Sequence, residues 1–155
     1  MGSRSSLELA YIAGFLDGDG SLMLQLKKRS DSSKARFMCT ICFYQDSRHE
    51  ETLAWIREIL GIGYLSRRND GISELRINGY TQVRDIISRM RPFIRFKKIQ
   101  AEALLEATEI LASGRRSEVE LVTLVDLMLK IQSNNYVTKR KKTRDELMRV
   151  LELTP

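Results

Sequence analysis

The sequence predicts an α+β domain that runs helix, hairpin, helix, hairpin, helix, with a tail of C-terminal helices. Three observations predict it. The apolar spacing alternates along the chain between a period of about 3.6 and a period of two. Turn-forming residues stand where the period changes, at Gly18 and Gly20, at Gly61 and Gly63, and at Asn69-Asp70-Gly71. The 155 residues show no low-complexity tract and no shift in composition, so they suit one domain with a core of useful size. Residues 1–6 read as an N-terminal tail and residues 7–155 as the domain.

The first helix is capped by Ser5 or Ser6, with Glu8 placed to close a capping box, and it runs to about Asp17. Ala10, Gly14 and Gly18 recur every four residues and so share one face. A helical Gly costs about 1 kcal/mol against Ala. Two of them on one face suggest that another backbone packs closely there. From Gly20 the period is two. Leu22, Leu24 and Leu26 point one way; Ser21, Met23, Gln25, Lys27 and Arg29 point the other. After a polar loop at 30–33, Phe37, Cys39, Ile41 and Phe43 alternate with Arg36, Met38, Thr40, Cys42 and Tyr44, completing a hairpin.

Ser47 is placed to cap the second helix, with Glu50 at the capping-box position; Leu53, Ile56, Ile59 and Leu60 form its stripe. Residues 64–68 and 72–78 form the second hairpin around Asn69-Asp70-Gly71. Ser73, Leu75 and Ile77 share one face, and Glu74, Arg76 and Asn78 the other. Gly79 and Thr81 open a third helix through Val83, Ile86, Ile87 and Met90. Pro92 breaks the pattern. Residues 93–111 then read as one long helix, 118–131 as another capped by Ser117, and 145–153 as a short amphipathic end. The sheet is therefore four-stranded and antiparallel, with its apolar face on the helices. Its other face carries Gln25, Lys27, Arg29, Arg36, Thr40, Arg68, Glu74, Arg76 and Asn78.

Formal net charge is +6 and the pI about 9.5, which favours a polyanionic partner, nucleic acid first. With two cysteines and one histidine, a zinc site of the usual ligand count is not available, and a disulfide scaffold is not expected. A reducing, intracellular setting fits. The apolar run at 7–16 is too short to span a bilayer and lacks a signal-peptide cleavage pattern.

The mixed polar face has a chemistry. Arg and Lys suit guanine edges, Gln and Asn suit adenine, and Glu accepts from cytosine. A strand of ten residues reaches about 33 Å, close to one turn of B-DNA. The basic run Lys139, Arg140, Lys141, Lys142 and Arg144 suits phosphate contacts, which raise affinity without reading sequence. Asp17-Gly18-Asp19-Gly20-Ser21 resembles the start of a calcium loop, but Lys28 stands where an EF-hand needs its bidentate Glu. Two readings remain for these acids: a helix stop with a turn, or a sparse site for a hard cation that keeps its waters and takes phosphate oxygens. Spacing does not distinguish Asp17 from Asp19.

The segment AYIAGFLDGDG, beginning at Ala10, resembles the LAGLIDADG motif of homing endonucleases, with Ile12 at its first position. The resemblance extends through the hairpin order, Gly61-Ile62-Gly63-Tyr64, and the segment from Arg91 through Pro92, Lys97 and Lys98 to Ala101. One motif copy places the chain with the single-motif group, whose members work as homodimers. That resemblance implies a saddle-like sheet and a site-specific endonuclease that cuts both strands of a long, pseudo-palindromic double-stranded DNA. It implies Asp19 as the catalytic metal ligand and Gly18 as a carbonyl ligand. Gln45 would order water, and Lys97 would stand near the scissile phosphate, with Arg48 or His49 as a further basic group. Met38, Cys42 and Ser66 join the groove-facing set, and Ala10, Ala13, Gly14 and Gly18 the dimer contact. The implied cofactor is Mg²⁺, with Mn²⁺ able to substitute and Ca²⁺ binding without supporting cleavage. No membrane or small-molecule substrate is implied, and relatives occupy organelles or the archaeal cytoplasm. Competing expectations are a DNA-binding regulator or an RNA splicing maturase that does not cleave on the same scaffold, and a structural dimeric adaptor.

Overall fold

The computed structural model describes residues 5–28, 30–31, 34–135 and 141–154. Arg29, Lys139 and Arg140 lie outside the described residues. The order is α1 (Ser6–Asp19), β1 (Gly20–Lys28), β2 (Ala35–Asp46), α2 (Glu50–Leu60), β3 (Tyr64–Arg67), β4 (Ile72–Asn78), α3 (Tyr80–Met90), α4 (Lys98–Ala112), α5 (Glu118–Asn134) and α6 (Arg144–Val150). Short 3-10 turns precede α2, at Ser47–His49, and follow α3, at Arg91–Phe93. The strands form one antiparallel sheet in the order β1-β2-β4-β3.

The expected α+β plan and both hairpins are present. Ser5 is the N-cap of α1 and closes a reciprocal capping box with Glu8. The helix continues through Gly18 and ends at Asp19, two residues beyond the expected stop. Gly20 adopts extended backbone there, and a methyl at its Cα would lie 2.9 Å from the Leu16 backbone. The glycine lets strand follow helix with no intervening loop.

Three further expectations are corrected. Ser47 does not cap α2: Asp46 accepts the Arg48 amide to open the 3-10 turn, and the Ser47 hydroxyl turns to Ser73. Glu50 closes no capping box because it binds Arg67 and Ser73 on the second hairpin. The long helix starts at Lys98, not Phe93, because Ile94 is extended and buried and the next three amides are bound elsewhere.

The core lies between the sheet and the helices. Leu22, Ile41, Phe43, Leu75 and Ile77 meet Ile12, Leu16, Leu53, Ile56, Ile86 and Leu104, all fully buried. Burying such a side chain contributes about 1.5–3 kcal/mol. Helices α4 and α5 pack on each other and on β1, and the Tyr80 hydroxyl donates to the Phe37 carbonyl at 2.7 Å, tying α3 to β2. This packing presents the polar sheet face outward and sets the end of α1 at the start of β1, on the β1 edge of the sheet.

Candidate active site and nucleic-acid interface

The strand register puts the polar residues in cross-strand rows. Lys27 stands opposite Arg36, and Gln25 opposite Met38. Met23, Thr40 and Asn78 form the next row. Ser21, Cys42, Arg76 and Tyr64 follow, then Tyr44, Glu74 and Ser66. The face is continuous across all four strands, and the rows carry both donors and acceptors. Arg76 donates to Glu74 at 3.3 Å, and Ser21 and Tyr44 share a 3.2 Å hydrogen bond.

Two residues of that face are closed to contact. Thr40 is buried and donates its hydroxyl to Asn78 Oδ1 at 2.7 Å. Cys42 is buried beside Tyr44 and Arg76, and burial pushes its thiol pKa up. Both sit mid-sheet, where longer neighbours cover them; Asn78, exposed, presents the polar surface of Thr40's row. Arg68 lies just past β3 in the turn and pairs with Asp70 at 2.7 Å. Lys141 and Lys142 are exposed ahead of α6.

The two motif acids separate cleanly. Asp17 is only 8% exposed. Its Oδ2 accepts the Arg95 amide at 2.7 Å, and its Oδ1 accepts the amides of Phe96 and Lys97 at 3.2 and 3.1 Å. Asp19 is exposed, and among the described residues its Oδ2 receives a long 3.4 Å hydrogen bond from Gln45 Nε2. The Gln45 amide is oriented by the Asp46 N–H, which donates to Gln45 Oε1 at 2.9 Å. Lys97 Nζ donates to the Asp17 carbonyl at 2.6 Å. Partial burial holds the Lys97 ammonium below its ordinary pKa, opposed by the carboxylates of Asp17 and Asp19.

The last carbonyls of a helix lack intrahelical partners. Here the Leu16 carbonyl takes the Gly20 amide and the Asp17 carbonyl takes Lys97, which leaves Gly18 with no partner from the helix ladder. One exposed carboxylate and one helix-end carbonyl fit a hard cation that retains water and completes its shell with phosphate oxygens. Among the described residues no group of three or more His, Cys, Asp or Glu side chains could hold a metal, so the donor set is sparse within one chain.

Arg48 is clamped to Asp46 in a bidentate pair, at 3.0 and 2.8 Å, which holds the Asp46 carboxyl well below the usual range. His49 stands exposed at the N-cap of α2.

On α1, Gly14 and Gly18 are exposed, a β-carbon added at either would meet nothing within 4 Å, and Ala10 is half-buried. Leu7 and Tyr11, 84% and 56% exposed, extend that side of the helix toward its N-terminus, where Tyr11 packs edge-on against Trp55. Ala13 is corrected: it is fully buried in its own core and cannot face a partner. The Glu50–Ser73–Arg67 cluster was missed by sequence reasoning. Ser73 on the apolar face of β4, beside the capping-box position of Glu50, was its only signal.

The comparisons with known proteins agree with this geometry. The family model described as LAGLIDADG endonuclease matches residues 12–101. DNA endonuclease I-CvuI of Chlorella vulgaris is 30% identical over 117 residues, covering 75% of this chain and 73% of that protein. DNA endonuclease I-CreI of Chlamydomonas reinhardtii is 28% identical over 147 residues, covering 92% and 87%. The structure of homing endonuclease I-CvuI in complex with its target in the presence of Ca superimposes with a TM-score of 0.85 at 26% identity, covering 95% of this chain and 94% of that one. The archaeal intron-encoded I-Vdi141I complexed with DNA shares the fold, with a TM-score of 0.81 at 20% identity and coverage of 94% and 95%. A helix that ends in one engaged and one open acid, a four-stranded polar face and a match that runs from the motif into α4 lead to one assignment: the chain belongs to the LAGLIDADG endonuclease family, in its single-motif group.

Proposed function

We propose that the chain is a site-specific DNA endonuclease that works as a homodimer and hydrolyses both strands of a long, roughly palindromic duplex. The observation that carries this reading is the division of labour at the end of α1. Asp17 is consumed by the backbone, while Asp19 stays open beside Gln45 at the junction with the polar sheet.

The sheet face supports base reading through Gln25, Lys27, Arg36, Met38, Ser66, Glu74, Arg76 and Asn78, with Arg68 at its tip. Lys141 and Lys142 would contact phosphates. The exposed α1 face of Ala10, Gly14 and Gly18 would pack against its own copy about a two-fold axis, bringing two Asp19 residues to one minor groove.

The divalent ion, Mg²⁺ first, would be held by the Asp19 carboxylate and the Gly18 carbonyl, and when bound it supplies Lewis acidity at the scissile phosphate and a more acidic water. Gln45 orients the Asp19 carboxylate and offers an amide to a water beside it. Lys97, whose ammonium is held on the Asp17 carbonyl in the last turn of α1, stabilises negative charge that develops on the phosphate. Mn²⁺ would substitute for Mg²⁺, and Ca²⁺ would support binding alone. A DNA substrate calls for an intracellular compartment.

A non-cleaving regulator or maturase would leave the open carboxylate beside a lysine without a task. The test is to recover a duplex from a randomised library by binding in Ca²⁺, then to exchange the metal. Cleavage of both strands in Mg²⁺ is expected. Tight binding without nicking in Mg²⁺ or Mn²⁺ would overturn the enzyme reading in favour of the regulator.

A further inference from the structure

We infer that Asp17 is a positioning residue of the cleavage site: its carboxylate ties residues 95–97 to the last turn of α1 and so sets where Lys97 stands relative to Asp19. The inference rests on the endonuclease reading and adds a residue to it.

Residues 95–97 lead into α4, and α4 has no side-chain cap from its own N-cap, Lys97. The amides of Arg95, Phe96 and Lys97 find their acceptor 78–80 residues away in sequence, on one carboxylate. Apolar burial does little to hold this segment. Ile94 anchors its start, but Phe96 is 74% exposed. Charge-assisted bonds to a buried carboxylate are about twice as strong as neutral ones, so Asp17 dominates the placement of the segment.

A second contact closes the loop from the other side. Lys97 Nζ returns to the Asp17 carbonyl at 2.6 Å, so residue 97 is held by its amide on the Asp17 side chain and by its amine on the Asp17 backbone. Asp19 ends the same turn of helix. The acid and the cation of the site are thus referenced to one residue. Lys97 is attached to a different helix from Asp19, and Asp17 is what converts two helices into one rigid constellation. A displacement of about 1 Å in such a constellation costs on the order of 100-fold in rate.

The distinguishing experiment is a double-mutant cycle on single-turnover cleavage, using the duplex recovered by the wild-type chain in Ca²⁺. Asp17→Asn replaces one acceptor oxygen with an NH₂ group that faces backbone N–H donors. It should slow cleavage by roughly 10- to 100-fold, while affinity for the duplex in Ca²⁺ stays within about three-fold. In the Lys97→Met background the same change should slow cleavage by less than about two-fold, because the group it positions is already gone. Should Asp17→Asn lose its folded circular-dichroism spectrum, Asp17→Ser keeps one small acceptor and enters the same cycle with the same expectation. Equal slowing in both backgrounds would overturn the inference, as would a wild-type rate for the Asp17 variant, while leaving the endonuclease reading intact. A wild-type chain that binds the duplex and cuts nothing would overturn the reading and this inference with it.

Discussion

Replacing Gly14 with Leu separates the stability of one chain from the stability of the pair. In a single chain the position is exposed, and a β-carbon would meet nothing within 4 Å. Removing a helical glycine there is favourable by up to about 1 kcal/mol. The folded chain should therefore tolerate the change or gain slightly. In the proposed dimer the sign reverses. Two-fold symmetry places both new side chains at a contact where only backbone and small residues fit. Overpacking costs about 1–3 kcal/mol per side chain, so two copies cost about 2–6 kcal/mol. At about 1.4 kcal/mol per tenfold, the dimer dissociation constant rises at least about 30-fold. Sedimentation equilibrium over a concentration series measures association, and urea unfolding at low concentration measures the chain. Association should weaken while unfolding stability is undiminished. Unchanged dimer mass would refute the assignment of the α1 face. Loss of both properties would mean that the single-chain environment of Gly14 is misjudged.

Gly20→Ala should behave oppositely, because a methyl there lies 2.6 Å from Leu16 Cδ1 and 2.9 Å from the Leu16 backbone. We expect a lowered Tm, from a cost of about 1–3 kcal/mol, and cleavage that falls more than binding; a wild-type melting curve would contradict this. Glu50 is held below its ordinary pKa, first by the Arg67 guanidinium and then by the Ser73 hydroxyl. A depressed folded-state pKa adds stability above the unfolded value and loses it as pH falls through the folded one. The Tm difference between wild type and Glu50→Gln should thus be largest near neutral pH, begin to shrink as pH falls to about 4.3, the ordinary Glu value, and vanish only at more acidic pH; a difference that grows toward acid would contradict it. Cys39 and Cys42 are buried, with Cys39 pushed up to about 12. Native protein should resist thiol reagents at mildly alkaline pH and react at both cysteines when unfolded; stoichiometric labelling of the native state would contradict that.

Much of the plan is legible in the sequence because it is set by local periodicity. Alternation of Leu22, Leu24 and Leu26 against Gln25 and Lys27 defines which face of β1 is covered, and the pairing of β1 with β2 follows from it. What spacing misses is set by partners distant in sequence. The Ser47-x-x-Glu50 pattern satisfies the capping-box rule, yet Glu50 is drawn to Arg67, 17 residues on, and Asp46 caps the turn instead. The helix expected from Phe93 begins at Lys98 because Asp17 removes the intervening amides. Thr40 and Cys42 fall on the expected face but are covered by longer neighbours, and Ala13 points inward although its neighbour Gly14 does not. Face membership follows from parity, whereas exposure depends on the size of cross-strand neighbours. The choice between Asp17 and Asp19 is the sharpest instance. The two are equivalent by local pattern, and the hydrogen bonds of Asp17 to a segment 78–80 residues away distinguish them.

The decisive comparison is cleavage of the Ca²⁺-recovered duplex in Mg²⁺ by wild type and by Asp19→Asn. The variant retains size, hydrogen bonding and the open position of residue 19 but not the charge a hard cation requires. If Asp19 holds the metal, wild type cuts both strands, while Asp19→Asn binds with affinity within a few-fold and leaves the duplex whole. Cutting by Asp19→Asn at the wild-type rate would mean that the open carboxylate at the end of α1 is not the metal ligand.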